Sequence, residues 1–409
     1  MTIFVSIAAY RDPELIPTIE DCLARARWPG ELRFGVCWQH APGEARPRPL
    51  DRGRMRLLDI PWQHSQGACW ARAECMKLYQ GEDWFLQLDS HHRFVQDWDA
   101  LLLDQAARTG AAKPLLTTYG KPFDPAAPLP PGVPTSIAMP AFRRDGIPVF
   151  QCRLRPDWLD GAPVRARFLS AHLLFAPGSF VAEVAYDPEL YFYGEEITLA
   201  ARAFSHGYDL FHPGAHVLWH QEPRRVTPLH WEDHVAAAVA VTARERDAAS
   251  LAKVRAFLTR PPVGAFGCGT SRNFQQYESY VGVNFRRRYI GPAARRGDEP
   301  FPPAATGSAD LKTWNIRIVL DRETVPPPAL DRPSFWYVGF HDGEQQELAR
   351  ADARAAEITR ALATNQGAIV LERQIRTAQP PQSWTVWPTD RQGRWLGKLS
   401  GPIDAACLA

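Results

Sequence analysis

Several things are scarce in this sequence, and each scarcity removes a class of function. The seven cysteines, Cys22, Cys37, Cys69, Cys75, Cys152, Cys268 and Cys407, are odd in number, scattered and free of any Cys-x-x-Cys pair. That argues against a disulfide framework and fits reduced thiols in a cytoplasmic protein. Charge of one sign is equally scarce: 47 Lys and Arg face 45 Asp and Glu, a formal charge of +2. No long-range field therefore favours nucleic acid or an anionic membrane. No apolar run is long enough to span a bilayer, and the opening Met1-Thr2-Ile3-Phe4-Val5-Ser6-Ile7 lacks the basic region of a signal peptide, so no membrane anchor is expected.

What is present is a large apolar fraction, 45% of 409 residues, enough for one or two domains. Residues 3–8 form an apolar run without alternation, the pattern of a strand buried on both faces. From Pro13, Leu15, Ile16, Ile19, Cys22, Leu23 and Ala26 recur at helical spacing until Pro29-Gly30. Strands follow over 32–38, 55–60 and 83–88, with a helix over 67–80. This alternation predicts an α/β fold with a mainly parallel sheet flanked by helices. Residues 120–148, rich in Pro and Gly, read as a long loop. Beyond it the pattern gives a strand at 167–176, a helix at 197–206 ended by Gly207, strands at 208–211 and 215–219, and helix over 230–258. Proline clusters punctuate the rest. They set a catalytic domain at 1–290, a linker at 291–312 and a small α+β accessory domain at 313–409, with strands at 315–320, 335–340, 368–371 and 384–387 and a charged helix over 344–364.

The sharpest chemical signal is Gln87-Leu88-Asp89-Ser90-His91-His92-Arg93-Phe94, at the carboxyl end of a buried strand, where open α/β sheets bind ligands. A carboxylate and an imidazole two residues apart suit Mn²⁺, with Mg²⁺ or Zn²⁺ disfavoured rather than excluded; the bland alternative is a polar turn. A third ligand is sought among His212, His216 and His220, spaced four apart. His220 at the exit of a strand is the first choice and His216 the second. Glu195-Glu196 opens a helix, which the helix dipole favours on structural grounds alone. Either carboxylate could orient a sugar or serve as a base in an inverting reaction.

Five stretches in this order resemble the cytoplasmic polypeptide GlcNAc-transferases, whose founding members modify a hydroxyproline in a ubiquitin-ligase subunit, and their bacterial relatives. They are Phe4-Val5-Ser6-Ile7-Ala8-Ala9-Tyr10-Arg11-Asp12-Pro13-Glu14-Leu15; Gly67-Ala68-Cys69-Trp70-Ala71-Arg72; Gln87 to Phe94; Tyr186 to Leu210; and Phe266-Gly267-Cys268-Gly269-Thr270-Ser271-Arg272 with Tyr277-Glu278 and Gly282-Val283-Asn284-Phe285. The resemblance implies a GT-A-type fold, distantly similar to polypeptide GalNAc-transferases, a UDP-sugar donor and a divalent metal. It implies uridine at Ala8, Tyr10, Arg11 and Asp12, nucleotide contacts at Gly67 and Arg72, and metal at Asp89, His91 and His220. It also implies transfer with retention, in which Glu195 and Glu196 position rather than deprotonate. Ser170-Ala171-His172 departs from the small Gly-containing turn expected there and puts His172 near the donor sugar. The acceptor is a hydroxyl on a protein or a glycan. Two alternatives remain at this point: a metal-dependent hydrolase of a nucleotide-sugar or phosphoester, and a non-catalytic carbohydrate-binding protein using Trp336, Trp384, Trp387 and Trp395.

Overall fold

The computed structural model describes all residues except 51–52, 159–160, 223–227, 301–311, 332, 365–366, 378–379 and 405–409, so Cys407 lies outside the described residues. The chain divides into two compact units, Met1–Pro303 and Ala304–Ala409.

The first unit begins β1 (Ile3–Tyr10), α1 (Leu15–Arg25), β2 (Leu32–His40), β3 (Met55–Pro61), α2 (Ala68–Met76), β4 (Trp84–Asp89), β5 (His92–Phe94) and α3 (Trp98–Arg108). It continues through β6 (Pro114–Thr117), β7 (Lys121–Phe123), β8 (Thr135–Phe142), β9 (Pro148–Leu154), β10 (Val164–Arg165), β11 (Leu173–Pro177) and α4 (Phe180–Glu183). Then come α5 (Glu195–Ser205), β12 (Asp209–His212), β13 (Leu218–Gln221), α6 (His230–Asp233), α7 (Ala243–Thr259) and α8 (Phe274–Val281). Eight strands form one sheet in the order β10-β12-β6-β11-β4-β1-β2-β3. The pairings β3–β2, β2–β1, β1–β4 and β6–β12 are parallel, and β11 runs antiparallel to both of its neighbours. This is the mixed, mainly parallel sheet that the alternation predicts.

The unbroken apolar run of β1 has two covers. Ile3, Val5, Ile7 and Ala9 pack with Leu15, Ile19 and Cys22 of α1 and Trp98 and Leu102 of α3. Phe4 belongs to the other layer, with Met76 of α2 and Ile197, Ala200 and Phe204 of α5. Each large apolar side chain buried here contributes about 1.5–3 kcal/mol, which fixes where the strand ends stand.

Several expected elements differ. The long loop at 120–148 contains β7 and most of a hairpin, β8 with β9; Ser136 to Met139 are buried there despite the surrounding prolines. The strand expected over 167–176 is regular only in β11, and that expected over 215–219 begins later, so His220 lies inside β13 rather than at its exit. Helix over 230–258 is interrupted after Asp233 and resumes at Ala243, where Thr242 and Glu245 form a reciprocal cap. Part of the expected linker, Pro292–Arg296, is a helix with buried Ala294, and it belongs to the first unit.

In the second unit Lys312–Asp321 pairs with Ala368–Thr377, and a second sheet is built on Phe335–His341 and Ser383–Pro388. The helix expected over 344–364 is shorter, Ala355–Thr364, because Glu347–Arg350 pairs with the sheet first. Trp336 is in the core, whereas Trp387 and Trp395 are exposed with ring centroids 4.8 Å apart. Among the described residues no helix is long and apolar enough to cross a membrane.

Candidate functional site

The chain leaves β1 through α1 to β2 on one side and returns through α2 to β4 on the other, so the strand order reverses at β1. Open sheets part at such a point. Ala8 stands in register with Cys37 and Asp89, and Tyr10 with Gln39. Beyond these strand ends lies a cleft of about 560 Å³, lined among others by Ala8, Tyr10, Gln39, Gly67, Arg72 and Asp89. Its remaining wall includes His91, His230 and Trp231. Gly67 has φ +110°, and a Cβ there would come within 2.5–2.9 Å of Tyr191, so the backbone entering α2 has room only for glycine.

The turn after β4 is locked from below. The Thr18 hydroxyl donates to the Ser90 carbonyl and accepts from the His92 amide, both at 2.9 Å. Asp12, its carboxylate out of solvent, accepts from Ser90 Oγ and from His91 Nδ1, each at 2.7 Å. That bond puts the His91 proton on Nδ1 and leaves Nε2 as a lone pair. His220 arrives through the pairing of β13 with β5, where it stands opposite His92. His91 Nε2 and His220 Nε2 are 3.0 Å apart, and Asp89 Oδ2 is 4.0 Å from the first and 3.8 Å from the second. Ligands about 2.1 Å from one ion lie about 3.0–3.4 Å apart. The two nitrogens already have that spacing, and Asp89 Oδ2 stands a little beyond it.

His172 is close to the same point: Asp89, His172 and His220 have ligand atoms within 4.8 Å of one another, and the His172 and His220 rings stack at 4.3 Å. Its Nε2, however, accepts from the Gly120 amide at 2.7 Å. That bond occupies one nitrogen's lone pair and leaves the other protonated, so His172 is a hydrogen-bond donor here rather than a third imidazole ligand. Burial and the neighbouring His220 and His92 hold its pKa well below the ordinary histidine value.

Arg72, on α2, divides its guanidinium between Asp89 at 2.8 Å and Glu195 at 3.1 Å. Burial raises the Asp89 carboxyl, but Arg72 and then His220 outweigh it and hold the group well below the usual carboxylate range. Glu196 accepts from the Ala171 amide at 2.9 Å and the Tyr119 hydroxyl at 2.8 Å, and burial together with Glu195 pushes its pKa up to about 8. Gln87, in mid-strand on β4, donates to the Ala171 carbonyl and to Tyr186 Oη. The Ser170-Ala171-His172 turn is thus held from two sides.

A sequence model of the family described as "Glycosyltransferase (GlcNAc)" matches residues 2–53 and 46–287. The chain belongs to this family. No curated protein matches the sequence. Among solved structures, this glycosyltransferase is similar to GalNAc-T7 with UDP, GalNAc and Mn²⁺, at 13% identity and TM-score 0.46, covering 68% of this chain. It spans only half the length of that protein. S. aureus TarS 1–349 in complex with UDP-GlcNAc is 12% identical at TM-score 0.35, with 64% of this chain and 77% of that one covered.

Not every expected donor residue faces the cleft. Asp12 lies behind His91, and Arg11, at φ 46°, binds Glu44 at 3.2 Å and Asp233 at 2.8 Å. Glu195 is bound to Arg72 and Glu196 to the Ala171 amide, and neither is among the residues that line the cleft. His216 is occupied with the Val133 carbonyl at 3.2 Å, away from the cluster. Residues that sequence reasoning passed over include Gln39, His230, Trp231 and Asp233, whose carboxylate accepts from Tyr10 Oη at 2.9 Å. Of these only Gln39 carried a readable signal, a polar side chain near the end of an apolar strand.

Proposed function

We propose that this glycosyltransferase moves GlcNAc from UDP-GlcNAc to a hydroxyl of a protein or glycan acceptor, with retention and with Mn²⁺ or Mg²⁺ held by Asp89, His91 and His220. The observation that carries the reading is the convergence of those three groups at the mouth of a cleft whose floor is an arginine and a helix N-terminus. A divalent ion bound there supplies charge stabilisation for the departing diphosphate. Arg72 and the amides at the start of α2 bind the phosphates. Ala8 and Tyr10 flank the base. Gln39 Oε1, buried without a hydrogen-bond partner, offers it an acceptor. His172 donates to the sugar or its phosphate.

In the reaction the anomeric C–O bond to UDP breaks, a bond to the acceptor oxygen forms on the same face, and the acceptor proton passes to the departing phosphate oxygen. Among the described lining residues Asp89 is the one carboxylate, and it belongs to the ligand set, which supports a route without a protein base. The histidine and carboxylate groups close enough to share an ion gather around Asp89 and His220 alone among the described residues, so a two-metal hydrolase gains no support. The six described cysteines are free thiols, in keeping with work in the cytoplasm. The second unit, with its Trp387–Trp395 pair, helps choose the acceptor on this reading.

Calorimetry with UDP and UDP-linked GlcNAc, GalNAc, Glc and Gal, with and without Mn²⁺, tests it. Metal-dependent binding, tightest for UDP-GlcNAc and lost in Asp89→Ala, is expected. A folded, Mn²⁺-loaded protein that ignores UDP ends the transferase reading.

A further inference from the structure

A second cavity, of about 580 Å³, opens between α5 and α7 and shares no residue with the first cleft. Thr198 and Arg202 of α5, Val254 and Phe257 of α7, Leu190 and Phe266 form much of its wall. Beside these apolar side chains the wall carries Asp187, Lys253, Arg260 and Arg202, the last only 2% exposed. Its guanidinium makes one hydrogen bond, from Nη2 to the Ala265 carbonyl at 3.2 Å, and its buried Nε–H has no acceptor. Among the described residues no carboxylate pairs with it. Asp187 is already bound through both oxygens to Lys253, at 2.9 and 2.7 Å, and Lys253 also binds Glu189 at 2.6 Å. Phe266 lies against both cations, 5.6 Å from Arg202 and 5.5 Å from Lys253.

A buried cation without a counter-ion is costly, and natural interiors pair such groups. Burial lowers the Arg202 pKa to about 10, with Asp187 opposing, so the side chain stays charged at neutral pH and the deficit persists. The planar fork of a guanidinium matches a carboxylate. Arg202, Lys253 and Arg260 face the two carboxylates Asp187 and Glu189, an excess of one positive charge that a monoanion balances, and the apolar part of the wall calls for an apolar body. We infer that this cavity is a binding site for a small amphiphilic monocarboxylate, its carboxylate on Arg202 and its apolar part against Val254, Phe257 and Phe266. The inference goes beyond the transferase reading and does not depend on it.

The test is calorimetry on the full chain with three probes: 4-phenylbutyrate, its neutral amide, and acetate. The carboxylate is expected to bind one to one, with the amide and acetate weaker by about tenfold or more, the scale of one charge-assisted hydrogen-bonded pair. Arg202→Met should weaken 4-phenylbutyrate by a similar factor. Ala256→Trp, placed on the exposed side of α7 at the cavity rim, should block it while leaving the circular-dichroism melt unchanged. If Arg202→Met fails to fold, Ala256→Trp decides. Equal binding of carboxylate and amide, undiminished binding by the folded variants, or no binding by the folded wild type each overturns the inference.

Discussion

His91 and His220, separated by 129 residues of chain, meet nitrogen to nitrogen at 3.0 Å. Two imidazoles arranged this way need a proton or a cation between them, because the bond from His91 Nδ1 to Asp12 leaves a lone pair on the facing Nε2. The contact ties the loop after β4 to the small sheet of β5, β13 and β7, and it is the most direct structural reason to look for an ion.

The first prediction follows from it. Asp89→Ala and His220→Ala should each lower Mn²⁺ affinity by about 100-fold or more, beyond the 10–100-fold of an outer-sphere loss. His216→Ala should leave it within about twofold, since that ring is engaged with Val133. Electron paramagnetic resonance titration of free Mn²⁺ reads all three; an equal loss in His216→Ala would reassign the third ligand.

Asp12→Asn preserves volume but removes the charge that fixes the His91 tautomer. Mn²⁺ affinity should fall about 10–100-fold while thermal unfolding remains cooperative. If affinity is unchanged, the residue acts on the fold of the turn alone.

These two variants mark the boundary of what the sequence discloses. Asp89 and His91 were legible because they end a strand whose apolar run announces burial on both faces, and the chemistry of strand ends is local. His220 was the first choice of three evenly spaced histidines through an expected strand exit that the structure does not have. Its approach to His91 rests on the pairing of β13 with β5, a non-local contact that spacing does not encode. The same limit applies to Asp12, Glu195 and Glu196: the resemblance placed Asp12 at the nucleotide and residue type suggested a role for the glutamates, but only long-range packing shows the first bound to His91 and the others to Arg72 and the Ala171 amide. Strands β7 to β9 stayed hidden because proline and glycine weaken the local signal while burial in a hairpin restores order.

Glu196 gives a pH prediction. Its pKa rises on folding from 4.5 to about 8, first through burial and then through Glu195. Between those values the native state holds a proton that the unfolded chain releases, so this group lowers stability as pH rises and adds no further change above about 8. Glu196→Gln, which mimics the protonated form, should therefore gain on the wild type in melting temperature from pH 4.5 to 8 and run parallel above that. Parallel curves throughout would mean that the carboxyl titrates normally.

Gly67→Ala tests the backbone entering α2. The positive φ and the approach of Tyr191 should together cost roughly 1–3 kcal/mol, seen as a lower denaturation midpoint. UDP affinity should fall as well, because the amides that begin α2 are displaced. A variant that keeps both properties would show that Tyr191 yields easily.

Arg72 has a consequence for loading. Two carboxylates, Asp89 and Glu195, share its one guanidinium, so the cleft floor carries an excess of negative charge. On the proposed metal-dependent reading a nucleotide diphosphate arriving alone would meet repulsion, and a dication arriving alone would overshoot to positive. Each then improves the field for the other, and thermodynamic linkage requires the same factor in both directions. Saturation with the nucleotide should tighten the hold on the ion as much as the ion tightens the hold on the nucleotide, which makes donor occupancy a gauge of free metal concentration.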